Sequence, residues 1–211
     1  MDGVAGVSTP VDNKACPGEG IALLLIDVQE GLKEASWGKR NNPDAEQTIA
    51  RLLAGWRAAH LPVIHVQHRS LEPDSPLRRD QPGFRFAAAA EPVAGEPVFE
   101  KTVNSAFIGT GLGMYLQEQG IGELVVAGLT TDHCVSTTVR MAGNLGFRVW
   151  LVADGTATFE RMAPDGSRLT AEDMHRAHLE SLDGEFCQVV DADTALELAE
   201  LLPRDAVEAS Q

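Results

Sequence analysis

Residues 21–28 read Ile-Ala-Leu-Leu-Leu-Ile-Asp-Val, an unbroken apolar run that ends on Asp27 and Val28. A run of strand length without polar alternation belongs in a strand covered on both faces. Working outward, residues 45–60 carry helical spacing, and 62–68 (PVIHVQH) return to strand-like composition. The chain therefore opens as a strand-helix-strand unit. The same alternation continues with a short strand at 97–99, a helix over 105–119, a buried strand at 123–128 (ELVVAG) and a helix over 135–145 stopped by Gly146. A strand at 147–153 (FRVWLVA), a helix over 170–182, a strand at 186–190 and a helix over 193–202 complete it. This pattern predicts an α/β fold of three layers, a parallel sheet flanked by helices on both faces.

The 211 residues contain 17 Lys plus Arg against 31 Asp plus Glu, a net charge of -14, and 44% are hydrophobic. That is the composition of one ordinary globular domain. Residues 1–19 and 203–211 lack periodicity, so they are read as loose flanks of a domain spanning 20–202. No stretch approaches the ~20 apolar residues that cross a bilayer, and the first residues lack the basic and apolar regions of a leader. A cytoplasmic location is expected. The acidic excess, with no basic cluster beyond Arg78 and Arg79, argues against nucleic acid or an anionic membrane as partner. A cationic or neutral small molecule fits the charge better. Cys16, Cys134 and Cys187 show no CxxC spacing, so neither a disulfide framework nor a zinc knuckle is expected.

Ligands of open α/β sheets bind outside the carboxyl ends of the strands. Three polar residues stand at such ends: Asp27 after the first strand, Lys101 after the third and Cys134 after the fourth. Cys134 lies in GLTTDHCV, between a strand and a helix. A helix N-terminus favours thiolate and offers free backbone N–H groups. Such groups can bind an oxyanion, at ~3 to 4 kcal/mol per donor. A carboxylate that takes the thiol proton and an ammonium that stabilises the anion complete a nucleophilic set without a histidine.

The segments LLLIDVQ, FEKTVNSAF and GLTTDHCVSTTVRMAGNLGF together resemble the isochorismatase-like cysteine hydrolases, from about residue 21 to 202. The resemblance implies a six-stranded parallel Rossmann-like sheet and a catalytic triad of Asp27, Lys101 and Cys134. It also implies a cis peptide at Leu129-Thr130, with the amides of Thr130 and Cys134 as the oxyanion hole, and association into dimers or tetramers. The metal-binding members of the group carry an acidic ligand after the second strand, where this chain has VQHRS. No metal and no cofactor are expected. A nucleophilic Cys favours acyl chemistry on an amide, lactam or ureido carbonyl over vinyl ether hydrolysis of the isochorismate type. A noncatalytic ligand-binding relative is the reading from another class. WGKRNNP (37–43), LLAGWR, HRSLEPDSPL and Gln81-Pro82-Gly83 are similar to the streptothricin hydrolase branch, whose members open a cyclic amide of a cationic antibiotic. Substrate-binding candidates are Trp37, Arg40, Asn41, His68, Leu129 and His133. His65 is read as core, Asp154 as a strand-end turn residue and His175 as structural.

Overall fold

β1 (Gly20–Ile26) is buried along all but its first residue and lies at the centre of a sheet with β2 (Val63–His68), β3 (Val98–Lys101), β4 (Ile121–Leu129), β5 (Arg148–Ala157) and β8 (Gln188–Val190). A separate two-stranded antiparallel hairpin is formed by β6 (Arg161–Met162) and β7 (Arg168–Leu169). The structure, a computed structural model, describes residues 18–201. Cys16, the first seventeen residues of the N-terminal flank and the C-terminal flank at 203–211 lie outside the described residues. The large sheet has the order β3-β2-β1-β4-β5-β8 with every pairing parallel. Strand order reverses between β1 and β4, so their carboxyl ends border the crevice where such folds bind ligands.

Side chains alternate across the strands and feed two cores. Leu23 and Leu25 of β1, with Val125 and Ala127 of β4, pack against α1 (Ala45–Ala58) and α5 (Ala192–Leu201). Leu24, Ile26 and Val126 pack on the other face against α2 (Leu112–Glu118), α3 (Ser136–Asn144) and α4 (Ala171–Leu182). In α1 the buried residues Ala45, Ile49, Leu52, Leu53 and Trp56 recur at helical spacing. Each fully buried Leu or Ile of such a stripe contributes roughly 1.5 to 3 kcal/mol.

The three-layer parallel sheet expected from the sequence is present, and three local features differ. The helix read over 105–119 begins only at Leu112. Side chains occupy the backbone groups a helix would need: Ser105 Oγ accepts from Phe107 N, while Thr110 Oγ1 donates to Ala106 O at 2.5 Å and accepts from Leu112 N. Local bonds of this kind compete with helix, and Gly109 turns the chain at φ 72°. The strand read at 147–153 runs on to Ala157, because a break in register between Val126 and Gly128 lets Thr156 and Ala157 pair with Gly128 and Leu129. The β6–β7 hairpin, with two residues per strand, is too short to leave a periodic trace.

The 69–95 loop folds back over the strand ends. Gln29 Nε2 donates to the carbonyls of His68 (3.1 Å) and Phe84 (2.8 Å), Gln29 Oε1 accepts from His68 N (2.9 Å), and Gln67 Nε2 also donates to Phe84 O. One side chain thus ties the exit of β1 to the end of β2 and to the loop.

Gly128 is paired with Ile26 in register, and at φ 127° a Cβ would lie 2.0 Å from Ile26 O. Gly128→Ala must therefore part β1 from β4 at the crevice. We expect a loss of at least about 3 kcal/mol in urea unfolding, since neither the φ nor the backbone contact can relax cheaply.

Candidate active site

Lys101 ends β3 in register with His68 at the end of β2. Its side chain is fully buried, a position an ammonium tolerates only when its hydrogens find acceptors. They find three: Asp27 Oδ2 at 2.6 Å, His68 Nδ1 at 3.0 Å and Cys134 Sγ at 3.2 Å. Asp27 follows β1 at φ 51°, with its side chain 2% exposed. Asp27 Oδ1 is buried without a hydrogen-bond partner. One carboxylate oxygen is held by Lys101 and the other is open to a proton.

Cys134 is reached through Thr130, extended at φ -95° and ψ 150°, and a π-helical turn, Thr131–Val135, that runs directly into α3. The Leu129–Thr130 peptide is cis. Val135 N bonds to Thr130 O at 3.2 Å, the wide spacing of a π turn, a geometry frequent at functional sites. Asn104 Oδ1 stands 3.9 Å from Sγ.

These groups floor a cavity of about 120 Å³, well below the ~300 to 1,000 Å³ of pockets for drug-sized ligands. Of the residues named from the sequence, Asp27, Cys134, Trp37, His68, Leu129, Thr130 and His133 line it, with Lys101 bonded beneath. Arg40 and Asn41 do not line it. Arg40 forms a fork with Glu46 (2.7 and 2.5 Å) at the start of α1. Asn41 Oδ1 accepts from Thr158 N (2.8 Å), and Asn41 N bonds to Thr158 O. Arg40 is held by a side chain and Asn41 by backbone, away from the cavity. The lining residues not anticipated are the apolar Leu32 and Leu77 and the polar Asn104 and Arg161. Arg161 left no signal because the two-residue strand carrying it is too short to show a period. Larger depressions, of about 720 Å³ beside Phe84 and about 500 Å³ beside Arg78, contain neither Cys134 nor Asp27.

His65 is fully buried against Glu96 (2.8 Å), Asp154 Oδ1 accepts from Ala192 N at the start of α5, and His175 Nδ1 meets Thr131 Oγ1 at 2.9 Å. Each has a structural partner. Cys187 is buried in the core, its thiol pushed up to about 12 by burial and by Asp183.

Electrostatics alter one expectation. The helix start and Lys101 were expected to favour thiolate at Cys134. Burial and the Asp27 carboxylate instead push the thiol above its ordinary value, outweighing the lowering by Lys101. Burial pulls Lys101 down, but Asp27 and Cys134 more than offset it and its pKa is raised. His68 is lowered by burial and by Lys101, which leaves it neutral. The resting site is then a thiol and an ammonium beside a carboxylate with one free oxygen.

Ligand atoms of Asp27, His68 and Cys134 lie within 4.8 Å of one another, a spacing a metal ion can use. The same three side chains are the acceptors of the Lys101 ammonium. A divalent cation would have to displace a buried positive charge or sit against it.

A carboxylate, an ammonium and a thiol thus gather at the crevice of a parallel three-layer α/β sheet. The chain belongs to the isochorismatase family: the family described as "Isochorismatase domain" matches residues 21–194. It is 40% identical over 172 residues, 82% of this chain and 92% of the relative, to the uncharacterized isochorismatase family protein YrdC of Bacillus subtilis. It is 36% identical over 148 residues to a streptothricin hydrolase of Streptomyces noursei, covering 68% of this chain and 52% of that one. Among solved structures, an isochorismatase-family protein from Chromobacterium violaceum superposes with a TM-score of 0.84 at 48% identity, covering 87% of this chain and 95% of the other.

The raised thiol is open to measurement. Alkylation of Cys134 by iodoacetamide, followed by mass spectrometry, should accelerate through pH 9 without levelling off. Asp27→Asn removes a raising charge, so at pH 8 this variant should alkylate faster, on the order of tenfold for each unit by which the pKa falls. A slower variant would show that Asp27 does not set the thiol's protonation.

Proposed function

We propose that the protein is a cofactor-independent cysteine amidohydrolase that cleaves a carbon–nitrogen bond of a small amide, lactam or ureido compound through a thioester. The observation that carries this reading is the shared Lys101 ammonium, which holds one oxygen of Asp27 and the sulfur of Cys134 and leaves Asp27 Oδ1 unpartnered. As Sγ attacks the carbonyl carbon, its proton passes to Asp27. Lys101 stabilises the charge that develops on sulfur, and the amides of Thr130 and Cys134 donate to the oxyanion. The intermediate collapses as Asp27 returns the proton to nitrogen, the C–N bond breaks and the amine or ammonia leaves. Asp27 then deprotonates a water that attacks the thioester, releasing the carboxylic acid and restoring the thiol. The mechanism needs no metal, because Lys101 supplies the positive charge at the point where Asp27, His68 and Cys134 converge.

The similarity to streptothricin hydrolase supports lactam opening within this class. The same reading takes the partner as a small-molecule amide or lactam, with two or four copies of the chain associated in the cytoplasm. Among the described residues no helix is long and apolar enough to cross a membrane.

A panel of amides, lactams, ureido compounds and isochorismate, assayed for released amine or ammonia and for isochorismate consumption, tests the class. Cys134→Ala should abolish turnover. Isochorismate as the preferred substrate, turned over undiminished by Cys134→Ala, would reverse both the bond type and the nucleophile. Absence of turnover across the panel, with Cys134 inert to alkylation, would favour a ligand-binding role.

Asp27 and Lys101 form one proton-handling unit. Asp27→Asn and Lys101→Ala should each lower the rate at least about a hundredfold, with the double variant little slower than either single one. Multiplicative losses would show independent roles. Dialysis against EDTA should leave the rate unchanged; loss on chelation and recovery with zinc would place a metal in the mechanism.

A further inference from the structure

The cavity holds one charged side chain that the thioester chemistry does not use. Arg161, on β6, donates from Nε (3.1 Å) and Nη2 (2.9 Å) to Asp132 Oδ2, and the other oxygen of Asp132 accepts from Thr158 Oγ1 at 2.5 Å. The Asp132 side chain is 2% exposed. Burial raises its pKa, but Thr158 and the neighbouring cations outweigh this and hold the carboxyl below its ordinary value. A buried, ionised carboxylate therefore fixes the guanidinium from behind. The backbone of this segment is fixed as well, through Asn41 on Thr158 and the bond from Glu160 N to Lys39 O at 2.8 Å. The third nitrogen of the fork, Nη1, has no hydrogen-bond partner among the described residues, and Arg161 lines the same cavity as Cys134.

We propose that Arg161 anchors a carboxylate of the substrate, so that the enzyme takes amides carrying a carboxylate close to the scissile bond. This rests on the reading of Cys134 as nucleophile. A braced guanidinium with a free edge is the side chain best suited to carboxylate recognition. Arg161 and Cys134 line one cavity of about 120 Å³, so a carboxylate bound at Nη1 would belong to the same small molecule as the carbonyl under attack. The other charges of the cavity are already matched, since Asp27 is paired with Lys101. Glu72 and Asp74 line a neighbouring depression that shares only Trp37, His68 and Leu77 with this one. The net charge of -14 works against an approaching anion, but salt screens that field over ~8 Å under physiological conditions. A direct contact at Nη1 is not screened in the same way. The expectation of a cationic or neutral ligand, drawn from total charge, therefore does not govern the reacting end of the molecule.

Iodoacetate and iodoacetamide test the anchor without a known substrate. Both alkylate sulfur by the same displacement, in which the S–C bond forms, iodide leaves and the thiol proton is lost. They differ only in that the first carries a carboxylate, and the second a carboxamide, on the reacting carbon. The ratio of their rates at Cys134, divided by the ratio for a free thiol such as N-acetylcysteine, cancels the reactivity of the sulfur itself. We expect iodoacetate to saturate and the normalised ratio to exceed one by roughly tenfold, the scale of a charge-assisted hydrogen bond. Arg161→Gln should bring the ratio to about one, and Arg161→Lys should retain part of the preference. Thr158 continues to hold Asp132 in both variants, and circular dichroism verifies the fold. A normalised ratio near one in the wild type, or one unchanged by Arg161→Gln, overturns the anchor alone. Inertness of Cys134 to both reagents overturns the nucleophile and the anchor together.

Discussion

A single buried ammonium organises the site. Lys101 is out of contact with water, and burial on that scale without acceptors would cost several kcal/mol. Asp27, His68 and Cys134 supply one acceptor for each of its hydrogens, and they come from the ends of β1 and β2 and from the turn after β4. The ammonium therefore welds three strand ends into one unit. Its positive charge lies where a thiol, a carboxylate and an imidazole would otherwise invite a metal ion, so the protein carries its own cation at that point. The same burial keeps Cys134 protonated at rest. In the proposed reaction, turnover then depends on proton transfer to Asp27 rather than on a standing thiolate.

Around this centre the framework is one of paired backbones and a few side-chain clamps. Parallel register sets Lys101 against His68 and Ile26 against Gly128. Gly128 is required where β4 runs against Ile26 of β1, beside the crevice. Gln29 closes the other side by bonding both backbone groups of His68 and the carbonyl of Phe84. On the far wall the chain at 39–42 holds the chain at 158–160, and that segment in turn presents Arg161. Arg40 and Asn41 thus act on the cavity at one remove, by fixing the backbone that carries one of its walls.

Much of this was legible before any coordinates. Continuous apolar runs such as 21–26 and 124–127 report strands covered on both faces, because burial on two sides leaves no polar alternation. Asp27 stood out because it interrupts an apolar strand at its end, Lys101 and Cys134 because they follow the third and fourth strands, and motif resemblance joined them into one set. The late start of α2 was not legible. Ser105 and Thr110 are acceptable in a helix by composition, and it is their bonds to nearby backbone that unwind the first turns. Nor was the length of β5, which depends on a register break in its pairing with β4.

The sequence by itself determined the layered fold, the three chemical groups and the sign of the overall charge, because each follows from residue type and local spacing. Tertiary structure alone decided the state of those groups and the sign of the cavity wall. Cys134 is a thiol at rest because burial and Asp27 outweigh Lys101, a balance of distances that no spacing in the chain encodes. Arg161 faces the same cavity from 27 positions further along, since 161 minus 134 is 27, placed there by a two-residue strand and a buried Asp132. Total charge sums over the whole surface, whereas recognition depends on which single charge is held at the reacting atoms, and only folding brings that one into place.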